Sequence, residues 1–156
     1  MIYHAIDQNS EEWLAIRQGK FTASSFADLF ATKTTAQYKK AIRKVVYERL
    51  TGESPESFKS EYMERGHEME VFAKEAYELY SFNTIKDGGF FELSEWVGAS
   101  PDGLIGDNGM IEIKSPAYNT FIDYILSGKV PTEYTYQIQG QLYVTGREWN
   151  DFVAFH

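Results

Sequence analysis

Apolar residues recur at intervals of three and four along several stretches of this chain and alternate along several others. From Thr35 to Leu50, the residues Tyr38, Ile42, Val45, Val46 and Leu50 share a helical face, with Gly52 beyond as a stop signal. From Tyr62 to Tyr80 the stripe is Met69, Phe72, Ala73, Ala76 and Tyr80. Two shorter helices are predicted upstream. One starts at Asn9-Ser10-Glu11-Glu12-Trp13, a capping residue followed by carboxylates, and runs to Arg17 before Gly19. The other starts in the hydroxyl-rich Thr22-Ala23-Ser24-Ser25 and continues through Phe26, Leu29 and Phe30. Residues 53–60, with Pro55 and several serines, read as a connecting loop. Three short runs of β type follow, at Gly89–Leu93, Trp96–Ser100 and Met110–Lys114. Turns at Ser94-Glu95 and Asp107-Asn108-Gly109 predict that they form an antiparallel meander. A helix over 120–127, another from Pro131 to Gly146 with Tyr134, Ile138 and Leu142 on one face and Gln137 and Gln141 beside it, and a strand over 149–155 complete the pattern.

At 156 residues, 43% of them hydrophobic and 16% aromatic, the chain suits one domain with one core. No apolar run approaches the ~20 residues of a membrane span, and Met1–Asp7 has no basic segment leading into an apolar one, so no secretory leader is expected. The absence of cysteine excludes disulfides, thiolate catalysis and Cys-based zinc or iron–sulfur sites, and fits a cytoplasmic protein. A net charge of −8 argues against broad electrostatic coating of nucleic acid. The field at a site depends on local placement, however. Lys39, Lys40, Arg43 and Lys44 gather four of the fifteen cations on the outer face of the 35–50 helix, where they either contact DNA or stand solvated.

The segment with the most chemistry is Ser100-Pro101-Asp102-Gly103, the turn Asp107-Asn108-Gly109 and then Ile111-Glu112-Ile113-Lys114. It reads as a β-hairpin in which Asn-Gly supplies the positive φ of a tight turn. With a side-chain period of two, Ile111 and Ile113 face a core while Glu112 and Lys114 share the opposite face. Two acidic groups and a lysine turned to one cavity repel and desolvate one another unless a hard cation offsets the cost. The pattern therefore points to metal-dependent phosphodiester chemistry. Glu70 borders the buried stripe of its helix and is able to reach a polar site beneath it, whereas His67, with no partner at helical spacing, is left out of the site. Arg17, close to the hydroxyls of Thr22–Ser25, is either half of a phosphate cradle or a surface arginine beside an ordinary cap.

Asp102, nine intervening residues and then Glu112-Ile113-Lys114 resemble the signature of the PD-(D/E)xK nucleases. Within that superfamily the chain resembles the lambda-exonuclease-like, YqaJ-type viral recombinases. The match runs through Trp13-x-x-x-Arg17-x-Gly19-x-Phe21-Thr22-Ala23-Ser24, Gly66-x-x-x-Glu70-x-x-Ala73, Ser100-Pro101-Asp102-Gly103-Leu104, Glu112-Ile113-Lys114-Ser115-Pro116, and Tyr134-x-x-Gln137-x-Gln139 followed by Val144-Thr145-Gly146. The resemblance implies an α/β (α+β) restriction-endonuclease-like core with a mixed central sheet flanked by helices. It implies that Asp102, Glu112, the Ile113 backbone carbonyl and Glu70 hold Mg²⁺, one or two ions, with Mn²⁺ as a substitute. Lys114 would position or deprotonate the attacking water, and Gln137 would support it or the scissile strand. Arg17 and Ser24 would hold a 5′-phosphate, and Gln139 belongs to the same DNA-contacting set. The implied activity is 5′-to-3′ digestion of one strand of linear duplex DNA from 5′-phosphorylated ends. It leaves 3′ overhangs for a single-strand annealing protein in phage-type recombination, and the implied assembly is a homotrimer. An endonuclease on the same core, or a catalytically silent DNA-end-binding module, are the alternatives. Ser115 stands where relatives often carry Cys, and fuller members of the family continue beyond the strand that ends this chain.

Overall fold

The structure, a computed structural model, describes residues 1–55 and 61–156, without the side chains of 61–65 and 67. The loop expected over 53–60 therefore lies, from residue 56 onward, outside the described residues, as does the side chain of His67. Strands β1 (Ile2–His4), β4 (Phe90–Ser94), β5 (Val97–Ala99) and β2 (Phe21–Thr22) are hydrogen-bonded in that order in one sheet. Strands β3 (Ile85–Asp87), β6 (Gly103–Ile105), β7 (Gly109–Lys114) and β8 (Trp149–Ala154) form the second. Both are mixed: β2 runs parallel to β5 and β8 parallel to β7, while the remaining pairs are antiparallel. The helices are α1 (Glu11–Arg17), α2 (Phe26–Phe30), α3 (Ala36–Thr51), α4 (Glu61–Ser81), α5 (Tyr118–Ser127) and α6 (Thr135–Thr145). Among the described residues none is long and apolar enough to cross a membrane.

The expected meander is present but divided. After Ala99 the chain leaves the first sheet, passes through Ser100-Pro101-Asp102 and enters the second as β6. The β6–β7 ladder starts at the pair Gly103↔Ile111, so Pro101 would be next but one in register, opposite Ile113. Proline has no N–H to extend a ladder. The Pro101 carbonyl accepts from Gln8 Nε2 at 2.7 Å, and in its place Asp102 Oδ2 accepts from the Ile113 N–H at 2.6 Å. The one mixed central sheet of the expectation thus becomes two mixed sheets with Asp102 at their seam. The hairpin turn differs as well: the positive φ of +52° belongs to Gly106, and Asn108-Gly109 carry none.

Helix stripes are rotated from the expected ones. In α3 the buried line is Ala41, Val45 and Glu48, while Val46 and Leu50 are exposed. In α4 Ala73 is fully buried, whereas Phe72 and Tyr80 face outward. The helix expected from Thr22 begins as a 3-10 turn over Ala23–Ser25 and becomes α2 only at Phe26. β1 and β3 were not foreseen, since three-residue strands are too short to display an alternation.

The second sheet is packed on both faces. Ile111 and Ile113 join Ala73 of α4 and Ile105 on one side, with Tyr77 and Val153 against them. Met110 and Leu104 join Ala23, Phe91, Ala99 and Val144 on the other, which brings α6 and the first sheet over that face. Glu112 has the same parity as Met110 and so points toward α6.

The loop that carries the end of α1 is fastened to α3 through both polar groups of Gly19. The buried Glu48 accepts from the Gly19 N–H at 2.8 Å, and Arg49 Nε donates to the Gly19 carbonyl at 2.8 Å. The Arg49 guanidinium also lies 3.3 Å from the centroid of the Trp96 ring, so α3 holds the β4–β5 turn too. Glu48→Ala leaves the buried Gly19 N–H without an acceptor. It is expected to lower stability by about 1–3 kcal/mol, read as a shifted urea midpoint at constant slope. An unchanged midpoint would remove this clamp from the account.

Candidate active site

Six segments of the chain surround one cavity of about 160 Å³. α1 contributes Arg17, the 3-10 turn Ser24, α4 Glu70, the inter-sheet seam Asp102, β7 Glu112 and Lys114, and α6 Gln137. The structure brings together seven of the expected side chains. Gln139 is the exception: it is exposed on α6 and does not line the cavity. Two residues from Gln137 along a helix is about 200° of rotation, so one of the pair has to face away. Ile113, whose backbone carbonyl belongs to the expected ligand set, is buried in β7 between Glu112 and Lys114.

Glu112 is 0% exposed. Its Oε1 accepts from Lys114 Nζ and from Gln137 Nε2, the latter at 2.5 Å, and its Oε2 accepts from Gln141 Nε2 at 2.6 Å. Gln141 is itself fully buried and accepts from Asn150 Nδ2 of β8 at 3.1 Å. Gln141 was not among the expected site residues, although the helical interval of four from Gln137 set both amides on one face. Lys114 Nζ also stands 5.2 Å from the centroid of the Tyr134 ring.

Asp102 titrates well above the usual carboxylate range. Burial is the main cause, the neighbouring charge of Glu112 adds to it, and Glu70 contributes further, against the opposing pull of Lys114 and the Ile113 N–H. Lys114 is raised as well: burial alone would lower it, but Glu112 and Asp102 outweigh that and hold the ammonium charged. Glu70 is paired with Lys74, one turn along α4, at 2.8 Å. Among the described residues no three acidic or imidazole side chains are gathered into a finished metal-ligand cluster. Lys114, Gln137 and Gln141 hold Glu112, Lys74 holds Glu70, and the Ile113 N–H holds Asp102.

Arg17 makes no ion pair with a described residue. Its guanidinium carbon lies 3.9 Å from the centroid of the Trp13 ring, and its pKa is lowered to about 10 by burial, with Glu48 opposing the fall. It therefore stays charged at neutral pH, partly stripped of water and stacked in place, which suits it to receive an anion. The hydroxyls nearby are arranged among themselves: Thr22 Oγ1 and Ser24 Oγ are 3.1 Å apart, and Ser25 Oγ donates to the Thr22 carbonyl at 2.8 Å. With α2 only five residues long, the expected cradle rests on the guanidinium and Ser24 rather than on a long helix dipole.

The seam loop is bolted by Ser100. Its Oγ donates to the Gly89 carbonyl at 2.6 Å and accepts from Trp13 Nε1 at 2.9 Å and Gln8 Nε2 at 3.2 Å, while Gln8 Nε2 also donates to the Pro101 carbonyl at 2.7 Å. Gly88 is required beside it, because a Cβ there would lie 1.7 Å from the Pro101 carbonyl oxygen.

Comparison with known proteins adds a second line of evidence. The model of the YqaJ-like viral recombinase domain matches residues 12–148. The crystal structure of LHK-Exo in complex with dAMP is 39% identical, with a TM-score of 0.88, covering 94% of this chain and 74% of that one. The alkaline exonuclease LHK-Exo from Laribacter hongkongensis gives a TM-score of 0.85 at the same identity and coverage. A phage related exonuclease from Haemophilus somnus 129PT is 19% identical with a TM-score of 0.61, covering 87% of this chain and 68% of that one, and shows the fold alone. No curated protein sequence matches.

A carboxyl group raised by the fold binds its proton more tightly in the native than in the unfolded chain. The stability it contributes is fully present below the ordinary aspartate value and is lost as pH rises from there through the raised native one. Without divalent metal, Asp102→Asn is therefore expected to raise the thermal midpoint at neutral pH, with the gain vanishing toward pH ~3, below the ordinary aspartate value. A gain that is independent of pH would contradict the origin given for the shift.

Proposed function

The chain belongs to the YqaJ-like viral recombinase domain family and is a nuclease of the alkaline-exonuclease type, and on that footing we propose that it digests one strand of linear duplex DNA from a 5′-phosphorylated end, in the 5′-to-3′ direction. One observation carries this reading. Arg17 and Ser24, suited to a terminal phosphate, line the same small cavity as Asp102, Glu112 and Lys114, suited to hydrolysis of the next phosphodiester. An endonuclease has no use for an end-phosphate clamp beside its carboxylates. The relative crystallised with dAMP was bound to a 5′-mononucleotide, the product such a geometry would release.

The donor set fits Mg²⁺. It is made only of oxygen atoms, and the raised Asp102 beside fully buried Glu112 is a like-charge conflict that a divalent cation offsets. Asp102, Glu112 and the Ile113 carbonyl would hold the ion, and Glu70 would join them on exchanging Lys74. When bound, the ion supplies Lewis-acid polarisation of the scissile phosphate and charge neutralisation as the bond breaks.

The protein's own groups divide the remaining work. Arg17, held flat by Trp13, binds the 5′-phosphate and sets the cut one nucleotide from the end. Gln137 and Gln141 fix both oxygens of Glu112. Lys114, held charged by the carboxylates, orients the attacking water through Nζ. Once those charges are offset, burial weighs more heavily on Lys114 and favours the neutral amine that accepts the water's proton. The 3′-ended strand left behind is a substrate for a single-strand annealing protein. A homotrimer around the duplex is the assembly that the family implies.

Digestion of end-labelled linear duplexes bearing 5′-phosphate or 5′-hydroxyl, beside covalently closed circles, tests the reading. Mononucleotide release from phosphorylated ends, dependent on Mg²⁺ and abolished by EDTA, is expected, and cutting of closed circles would overturn it. Lys114→Ala is expected to reduce turnover by about 10²–10⁴-fold with DNA binding retained, and near-normal turnover would remove Lys114 from the chemistry. Arg17→Ala is expected to abolish the preference for 5′-phosphate over 5′-hydroxyl ends. An equal loss on both kinds of end would contradict its assignment.

A further inference from the structure

On the far side of the Thr22–Ser25 turn from the carboxylates lies a second, larger concavity of about 690 Å³, formed between that turn and α3. Lys40, Arg43 and Lys44 line it from one face of α3, and Tyr47 follows one turn further along the same face. Lys40 and Arg43 are exposed and make no ion pair with any described residue, while Lys44 is only loosely paired, 3.8 Å from Glu48. The groove's fourth cation, Lys20, is occupied: its Nζ donates to the Ile16 carbonyl at 2.9 Å and pairs with Glu92 at 3.5 Å. Among the described residues, Asp28 is the one acidic residue in the lining. In a chain of net charge −8, three available cations around one concave surface are a local reversal of sign.

Thr22 and Ser24 line both this groove and the catalytic cavity, so a single turn of chain is the wall between them. We propose that the groove holds the strand that is not digested, the 3′-ended single strand as it parts from the duplex end. This rests on the exonuclease reading above. A strand to be preserved has to lie within reach of the end yet away from Asp102, Glu112 and Lys114, and the shared wall meets both conditions. The composition is that of a single-strand site: cations spaced along a helix for successive phosphates, and a half-exposed aromatic ring, Tyr47, on which a base stacks. The catalytic cavity, about a quarter of the volume, is scaled to the terminal nucleotide alone.

The test is equilibrium binding by fluorescence anisotropy in EDTA, so that no strand is cut, comparing a blunt 5′-phosphorylated duplex with the same duplex carrying a 3′ single-stranded tail. The tailed duplex is expected to bind about tenfold tighter, the scale of one or two stacking and phosphate contacts. Lys40→Glu with Arg43→Glu is expected to bring the ratio of the two affinities to about one and to reduce the salt dependence of tailed-duplex binding. Lys33→Glu with Lys39→Glu makes the same change of charge outside the groove and is expected to keep the ratio. The proposal is overturned if the tail brings no advantage, if the Lys40/Arg43 double variant keeps it, or if the control pair loses it equally. All four substituted residues are exposed, and circular dichroism of each variant verifies the fold. Because binding is read without cleavage, a protein that fails to digest DNA but shows the tail preference would refute the exonuclease reading and leave the groove standing.

Discussion

The burial of one charge organises this molecule. Glu112 sits in the central strand of a sheet covered on both faces, with no contact with water. An isolated carboxylate in such a position is untenable, and it persists only when strong donors saturate its oxygens. The donors come from three directions: Lys114 on its own strand, Gln137 and Gln141 one turn apart on α6, and Asn150 of β8 behind Gln141. The docking of α6 on the sheet is thus fixed by polar as well as apolar contacts. Val144 enters the core formed by Met110 and Ala99 while Gln141, one turn earlier, reaches Glu112. Removing any one donor exposes the cost that the others were sharing.

Around that centre the fold accepts conflict. Asp102 is held close enough to Glu112 for that neighbour to disfavour its charge, and Arg17 is desolvated and stacked on an aromatic ring, with Glu48 offsetting only part of the loss of water. A sequence selected only for stability would replace both arrangements. Strain of this kind collects at functional sites and is balanced elsewhere, here by the apolar layers on the two faces of the second sheet and by the α3 clamp on Gly19.

What the sequence disclosed follows from which forces are local. The β7 alternation was readable because a strand's period of two separates Ile111 and Ile113 from Glu112 and Lys114 without reference to the rest of the chain. The long helices were readable for the same reason, though their buried faces were misjudged. Glu48, a charged residue in a helix, resembles a solvated one until Gly19, 29 residues away, is seen to donate to it. The split of the meander was hidden in Pro101, whose effect depends on the register of β7 against β6. Gln139 was grouped with Gln137 by motif, where helical geometry already separated them. The bond from Trp13 to Ser100 joins residues 87 apart, and no pattern within either segment announces it.

The seam between the two sheets has a mechanical meaning. Asp102 belongs to the short passage from one sheet to the other, and Glu112 to the interior of the second. A shear of the sheets past one another is therefore converted directly into a change in the distance between the two carboxylates. The stiffness of that joint sets how closely the pair can be matched to a cation of fixed radius. Ser100 spends its one proton and both lone pairs on Gly89, Trp13 and Gln8, and so acts as the rivet of the joint. The first thirteen residues, which contribute no catalytic group, thereby control the tolerance to which the catalytic groups are built.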